Sequence, residues 1–342
     1  MNLENPCMVK KRRSKRLLVI LPAAFLVILA LLLVDLPIGS LLTFRQVDNF
    51  PLYTMQYRGD YDLLKSLELE QVPARVGNNE TPNANFACTV FYGRDSNDEA
   101  LLGRNFDWKH KATMLLFTHP KDGYASVSIV DLSYLGFDQG ISLHSLRNLK
   151  STPFWPFDGM NERGVAIGMM AVPDTPGLHD PTKPTVDSLS VMRLVLDYAG
   201  DLDEALSIFQ GVNIDFEGGP WVHYLVSDRQ SSAVVEILSD RINIIRSQQA
   251  WQVSTNFILT GLSQEEADAS CGRYKTASDR LEQNQGIINP TDAMGLLRDV
   301  SQENTVWSVV YQLESGEVQI ALGRDYDNVH VFNLAHPPLE IK

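Results

Sequence analysis

Cysteine is scarce in this sequence: Cys7, Cys88 and Cys271 are the three in 342 residues. An odd, sparse set gives no disulfide framework; Cys88 and Cys271 could pair in principle, but nothing in their spacing asks for it. Histidine lacks pattern as well. The seven include no H-x-x-x-H and no His/Cys cluster, which leaves a zinc site without support. No G-x-S-x-G, P-loop or G-x-G-x-x-G occurs, and no cofactor is expected. Repeats of solenoid or propeller period are absent. Positive charge becomes scarce after the N-terminus. Residues 1–16 hold six of the 29 bases (Lys10, Lys11, Arg12, Arg13, Lys15, Arg16) and one of the 42 acids, leaving 23 bases against 41 acids, a balance of −18. A surface that negative repels phosphate backbones and argues against a nucleic-acid partner. With 44% apolar residues, 22 Gly and 17 Pro, the chain is neither disordered nor collagen-like, and it is long enough to bury a large core.

The one long hydrophobic run is Leu17 to Val34, 18 residues without a charge. As a helix it would span roughly 27 Å, enough to cross a bilayer core. The basic cluster before it holds that flank in the cytosol and sends the remainder of the chain outward. A cleaved signal peptide is the alternative, although the run exceeds a usual signal core and Ile38-Gly39-Ser40 is a poor cleavage site. The expected organisation is a basic cytoplasmic tail (1–16), a transmembrane signal-anchor (17–35), a leader (36–87) and an exported domain (88–342). The domain would be secreted if the N-terminal segment is removed.

Within the leader, Tyr61 to Leu69 reads as a short helix and GNNETPNAN (77–85) as an exposed, cleavable loop. From Phe86 the texture changes to short strands. ACTVFYG (87–93) and EALLGRNFDW (99–108) read as one hairpin, 112–119 and 125–132 as a second, and GVAIGMMAV (164–172) as a strand buried on both faces. Two helices follow, the first capped by Asp187 and the second by Asp201 or Asp203. Strands resume over 221–228, 232–238, 241–247 and 251–257. Helices are expected from Cys271 to Gln285 and, capped by Asn289, from Pro290 to Val300; three more strands end the chain. Strands, then helices, then strands imply an α+β domain of antiparallel sheets covered by helices.

An isolated cysteine in an apolar strand is usually a small hydrophobe. What distinguishes Cys88 is the strand opposite, which carries Arg104, Asn105 and Asp107 within reach across a short turn. Arg104 could hold a thiolate and lower a thiol pKa that starts near about 8.5. Asp107 could anchor an amine or orient the nucleophile. Taken alone, the two would be an ion pair at a strand end. Neither His110 nor His223 falls in a recognisable Cys-His pattern. A cysteine hydrolase without an evident histidine needs another base, and the α-amine of an N-terminal residue, with a pKa of about 7.7–8.0, is suitable.

ACTVFYGRDSNDEALLGRNFDW resembles the start of the linear-amide, choloylglycine-hydrolase and penicillin-V-acylase-like branch of the N-terminal-nucleophile (Ntn) hydrolases. PFDGMNERGVAIGMMAV (156–172) and ENTVWSVVYQLESGEV (303–318) resemble later blocks, so the likeness runs from about Phe86 to Phe332. It implies an αββα sandwich, two antiparallel sheets between helical layers. It also implies a nucleophile at Cys88, an arginine at Arg104, an aspartate at Asp107, an asparagine at Asn256 and a second arginine at Arg273. Ala171 falls where bile-salt-cleaving members often carry asparagine. It offers only a backbone N–H to an oxyanion hole, which tells against bile salts as the substrate.

The resemblance implies hydrolysis of a small-molecule N-acyl amide through an acyl-thioester, without cofactor or metal. The chain would first be cut between Ala87 and Cys88. Two alternatives stay open: a membrane-tethered binding protein that has lost catalysis, with the leader covering the pocket, and an acyltransferase passing the acyl group to an amine.

Overall fold

The computed structural model describes residues 37–68, 87–109, 112–138, 140–173 and 179–338. The basic tail, the apolar run and most of the polar linker before Cys88 lie outside the described residues, as does His110. Among the described residues no helix is long and apolar enough to cross a membrane.

Two sheets face each other. The larger has nine strands in the order Arg45–Asp48, Leu52–Gln56, Thr113–Thr118, Ser126–Asp131, Asp158–Asn161, Ala166–Ala171, Val222–Ser227, Ser232–Ile237 and Ile242–Arg246. The smaller has six: Gln252–Ser254, Thr89–Arg94, Ala100–Asp107, Thr305–Gln312, Glu317–Leu322 and His330–Asn333. Both expected hairpins are present, and Ala166–Ala171 is buried along its whole length, as a continuous apolar run requires. One pairing departs from the antiparallel expectation: Leu52–Gln56 runs parallel to Thr113–Thr118. A separate parallel pair joins Thr185–Asp187 to Asn213–Asp215.

Helices cover the outer faces. Ser190–Tyr198 and Leu202–Gly211 lie on the large sheet, with Asp187 receiving the Leu189 and Ser190 N–H groups and Asp201 receiving that of Glu204. Gln264–Ser270, Gly272–Gln283 and Pro290–Asp299 form a layer over the small sheet, the last capped by Asn289 as expected. The helix at 264–270 was not expected, although its Ser263–Glu266 capping box is legible in the sequence. The main core fills the space between the sheets, and a second core joins Phe91, Leu101 and Val310 to Ala277, Leu281 and Leu297 beneath the helices.

The described segment before Cys88, expected to be a leader, is part of this architecture. Its two strands extend the large sheet, and Leu52, Met55, Tyr61 and Leu63 are buried in the main core. Phe44 stacks on Tyr53 with ring centroids 5.0 Å apart. Tyr61 donates its hydroxyl to both oxygens of buried Asp197 at 2.7 and 2.8 Å. Asp48 meets His330 of the small sheet at 2.8 Å, and the Phe50 N–H and His330 hold its carboxyl below the usual range. The chain before Cys88 is therefore tied to both sheets.

Candidate active site

Cys88 directly precedes the strand Thr89–Arg94 and is 5% exposed. Register determines its neighbours. Thr89 lies opposite Asn105 on one side and Val90 opposite Ser254 on the other, so extending both pairings by a residue or two places Cys88 between Phe106 and Asn256. Side-chain alternation turns Cys88, Val90, Arg104 and Phe106 toward the facing sheet, while Phe91 and Leu101 face the helices.

Arg104 is fully buried and held on three sides. Its Nη1 donates to the Phe157 carbonyl at 2.6 Å, its Nε lies 3.1 Å from Asp158, and its Nη2 lies 3.9 Å from the Cys88 sulfur. Asp158 in turn accepts from Trp307 Nε1 at 2.9 Å and the Tyr311 hydroxyl at 2.5 Å. The opposite sheet leaves room through Gly168, where an added Cβ would meet Val90 Cγ2 at 3.2 Å and Arg104 Nη1 at 3.3 Å. Asp158 was not singled out from the sequence, although it stands within PFDGMNERG.

Arg104 pulls the Cys88 thiol down as expected, but the net shift is upward from its ordinary value. Burial in hydrocarbon is the largest influence and the Asp107 charge adds to it; together they outweigh Arg104, Arg273 and the Asp107 N–H. The sulfur therefore rests as a thiol and requires a base beside it. Asp107 is also buried. Its Oδ1 accepts from Thr305 at 2.5 Å and its Oδ2 has no partner. Burial pushes this carboxyl up to about 6, against the pull of Thr305, Arg273 and Arg104.

The residues implied only by resemblance converge on the same point. Asn256 Oδ1 accepts from the Cys88 main-chain nitrogen at 2.6 Å, and Asn256 Nδ2 donates to the Ala171 carbonyl at 2.8 Å. Ala171 closes its strand, and its carbonyl faces Asn256 on the edge toward the small sheet. Arg273, from the first turn of Gly272–Gln283, donates to the Cys88 carbonyl at 2.5 Å, to Thr89 Oγ1 at 2.9 Å and to Asn256 Oδ1 at 3.0 Å. All six residues selected from the sequence are thus within one connected cluster.

His223 had no assigned role, yet it stands behind this cluster. Its Nε2 lies 2.6 Å from the Thr255 carbonyl, next to Asn256, and its Nδ1 lies 3.6 Å from buried Glu236. Glu236 accepts from the Leu259 and Thr260 N–H groups at 2.5 and 3.1 Å, so this pair clamps both ends of the segment that carries Asn256. Cys88 and Cys271 are both free thiols. Among the described residues no group of three His, Cys, Asp or Glu is placed to hold a metal ion.

The sulfur opens onto a narrow cavity of about 60 Å³ between the sheets. Its walls are Phe106, Trp108, Tyr134, Trp155, Phe157, Met169, Leu189 and Val222, with Gly218, Gly219 and Pro220 from a connecting loop. Tyr134 stacks between Trp155 and Phe157 at centroid distances of 5.6 and 5.7 Å. Such a slot accommodates a slender apolar group with its polar end at Cys88.

Comparison with known proteins agrees with this geometry. The profile of the acyl-coenzyme A:6-aminopenicillanic acid acyl-transferase family matches residues 94–327, well over half of the chain, and the chain belongs to that family. No curated protein matches it. A mutant of the conjugated bile acid hydrolase from Clostridium perfringens superposes with a TM-score of 0.55 at 14% identity, covering 72% of this chain and 92% of that one. The penicillin V acylase from Agrobacterium tumefaciens gives 0.53 at 20% identity, covering 72% and 86%. These likenesses show a shared fold, the Ntn-hydrolase sandwich, and the family resemblance read from the first hairpin is borne out.

Proposed function

We propose that this member of the acyl-transferase family is a cysteine Ntn hydrolase that cleaves the linear amide of a small N-acyl substrate with a slender apolar acyl group. The observation that carries the reading is the placement of two atoms of one residue. The Cys88 sulfur lies beside a buried guanidinium at the floor of an apolar cavity, while the Cys88 nitrogen is held 2.6 Å from Asn256 Oδ1. The fold shared with the bile acid hydrolase and the penicillin V acylase supports it.

Maturation comes first in this scheme. The Cys88 thiol attacks the Ala87 carbonyl, the peptide C–N bond breaks, and a thioester forms as the Cys88 amine is released. Water then cleaves the thioester and leaves Ala87 as a carboxylate. In turnover the new α-amine takes the thiol proton, which matters because burial keeps the thiol from ionising by itself. The thiolate attacks the substrate carbonyl. The second Asn256 Nδ2 hydrogen and the Ala171 N–H stabilise the oxyanion, and the ammonium returns its proton to the leaving amine. Water releases the acid. The unpartnered Oδ2 of Asp107 holds the α-ammonium, and Arg273 positions Asn256 and the Cys88 carbonyl. The leader strands stay in the sheet after the cut, since their burial does not depend on the Ala87–Cys88 bond. The anchor in residues 17–35 and an exported site belong to this proposal and rest on the basic cluster and apolar run alone.

The family's description favours a second reading, in which an amine rather than water takes the acyl group from Cys88. Incubating the purified protein with N-acyl p-nitroanilides, with and without added amines, tests both. Release of p-nitroaniline and free acid supports the hydrolase; acyl transfer exceeding acid release favours the transferase. Equal turnover by a Cys88→Ser protein would refute both.

A further inference from the structure

Asn256 lies outside regular structure. Its strand, Gln252–Ser254, is three residues long and stops before it. Among the described residues, no main-chain group from 255 to 258 bonds to another main-chain group. A loop without a ladder does not by itself hold a side chain to the roughly 0.5 Å that a reacting centre needs. Two side chains of the large sheet replace the missing ladder. His223 and Glu236 lie on neighbouring strands, one residue beyond the Tyr224–Val235 pair, and neither has exposed surface. The Thr255 carbonyl can only accept, so His223 Nε2 donates to it at 2.6 Å, on the peptide unit that leads into Asn256. Glu236 receives the Thr260 hydroxyl and the Leu259 and Thr260 N–H groups, and its Oε1 lies 3.6 Å from His223 Nδ1. Burial pushes the Glu236 carboxyl up, but His223, the Thr260 hydroxyl and the Leu259 N–H outweigh it and hold the group below its usual range. An imidazole and a carboxylate are costly to bury, and an apolar pair would fill the same space more cheaply.

We infer that His223 and Glu236 are positioning residues for Asn256, acting on its main chain while Arg273 and the Ala171 carbonyl hold its side chain. The inference rests on the proposed amidase activity, in which Asn256 is an oxyanion donor, and adds two residues that do not line the cavity. With the Thr255 carbonyl fixed on His223 and the Leu259 and Thr260 N–H groups fixed on Glu236, the loop between them keeps one course, and Asn256 Nδ2 keeps its aim. A positioning role differs from a merely structural one in a measurable way. A structural pair matters equally whatever stands at position 256, whereas a positioning pair stops mattering to turnover once the Asn256 amide is gone.

The test is a double-mutant cycle on N-acyl p-nitroanilide turnover. His223→Leu is expected to lower kcat about tenfold while KM changes less than about twofold, and His223→Gln, which keeps an N–H donor, to restore most of the loss. In an Asn256→Ala background, His223→Leu should lower kcat by less than about twofold more. The full loss repeated in that background would overturn the inference and leave the amidase standing. If His223→Leu does not fold, Glu236→Gln, which changes shape least, runs the same cycle. Hydrogen–deuterium exchange read by mass spectrometry reports the positioning without any turnover. In Glu236→Gln, exchange should quicken at 255–260 and stay unchanged along Val222–Ser227 and Ser232–Ile237. Native protein that cleaves no anilide, with exchange quickened only at 255–260 in the variant, would refute the amidase and sustain this inference. Unchanged exchange at 255–260, or equal quickening along both strands, would overturn it.

Discussion

Among the described residues two arginines are completely buried, each beside a carboxylate, and they are used differently. Arg193 is closed on all sides. It meets Asp197 at 2.7 Å and Ser126 Oγ at 2.6 Å, while Tyr61, from the segment before Cys88, covers the pair and donates to the same carboxylate. Arg104 is equally buried and pairs with Asp158 at 3.1 Å, yet its Nη2 is left facing the Cys88 sulfur and the cavity. The chemical parts are alike; what lies at the open side separates a structural lock from a candidate catalytic group. A buried ion pair alone is weak evidence for either role.

Replacing each arginine separates the roles. Arg104→Gln is expected to have the largest effect on activity, a loss of 10²-fold or more, roughly that of removing one oxyanion donor. Arg193→Gln should instead destabilise the fold by about 3–5 kcal/mol, because Asp197 is left buried without its cation. Below its lowered melting point, the same variant should keep kcat within about twofold of the native value, since Arg193 has no contact with the cluster around Cys88. Thermal unfolding followed by steady-state kinetics measures both. A collapse of kcat in folded Arg193→Gln protein would erase the distinction.

Asp107→Asn sharpens it from the other direction. The folded-state pKa of about 6 stands above the unfolded value of 3.8, so ionising Asp107 opposes folding. The penalty is absent below about pH 4, grows as the carboxyl ionises between 4 and 6, and is complete above. In an uncut Cys88→Ala background, Asp107→Asn should gain on the order of 2 kcal/mol at neutral pH and nothing at acid pH. In active protein the same change should depress turnover, because the α-ammonium loses the carboxylate that holds it. Denaturant melts at the two pH values measure the first effect; equal gains at both would contradict the assignment. The smallest effect belongs to Tyr61→Phe. It should cost about 1–2 kcal/mol and loosen the leader, with little change in kcat, as seen by native mass spectrometry after dilution.

The sequence disclosed the Cys88 hairpin because short-range signals coincide there: alternation, a polar turn, and the Arg104 and Asp107 side chains opposite. The caps Asp187, Asp201 and Asn289 were legible for the same local reason. The strands before Cys88 were not. Arg45–Asp48 (RQVD) has a single apolar residue, and Leu52–Gln56 is five residues long, too short to be told from a helix fragment by period. The pairing of Leu52–Gln56 with Thr113–Thr118 is a long-range fact without a local signature. Nor could the sequence foresee that Asn256 would bridge the Cys88 nitrogen to the Ala171 carbonyl, since that depends on register in both sheets. The net shift of Cys88 was hidden for a related reason: the downward pull of Arg104 can be read from residue order, but the depth of burial that outweighs it cannot.

Mass spectrometry of the active protein under denaturing and then native conditions tests the central claim most directly. The account predicts that denaturation releases a chain beginning at Cys88, separate from a piece ending at Ala87, while native conditions hold the two as one particle. A fully active protein in which the Ala87–Cys88 peptide bond remains whole would contradict it.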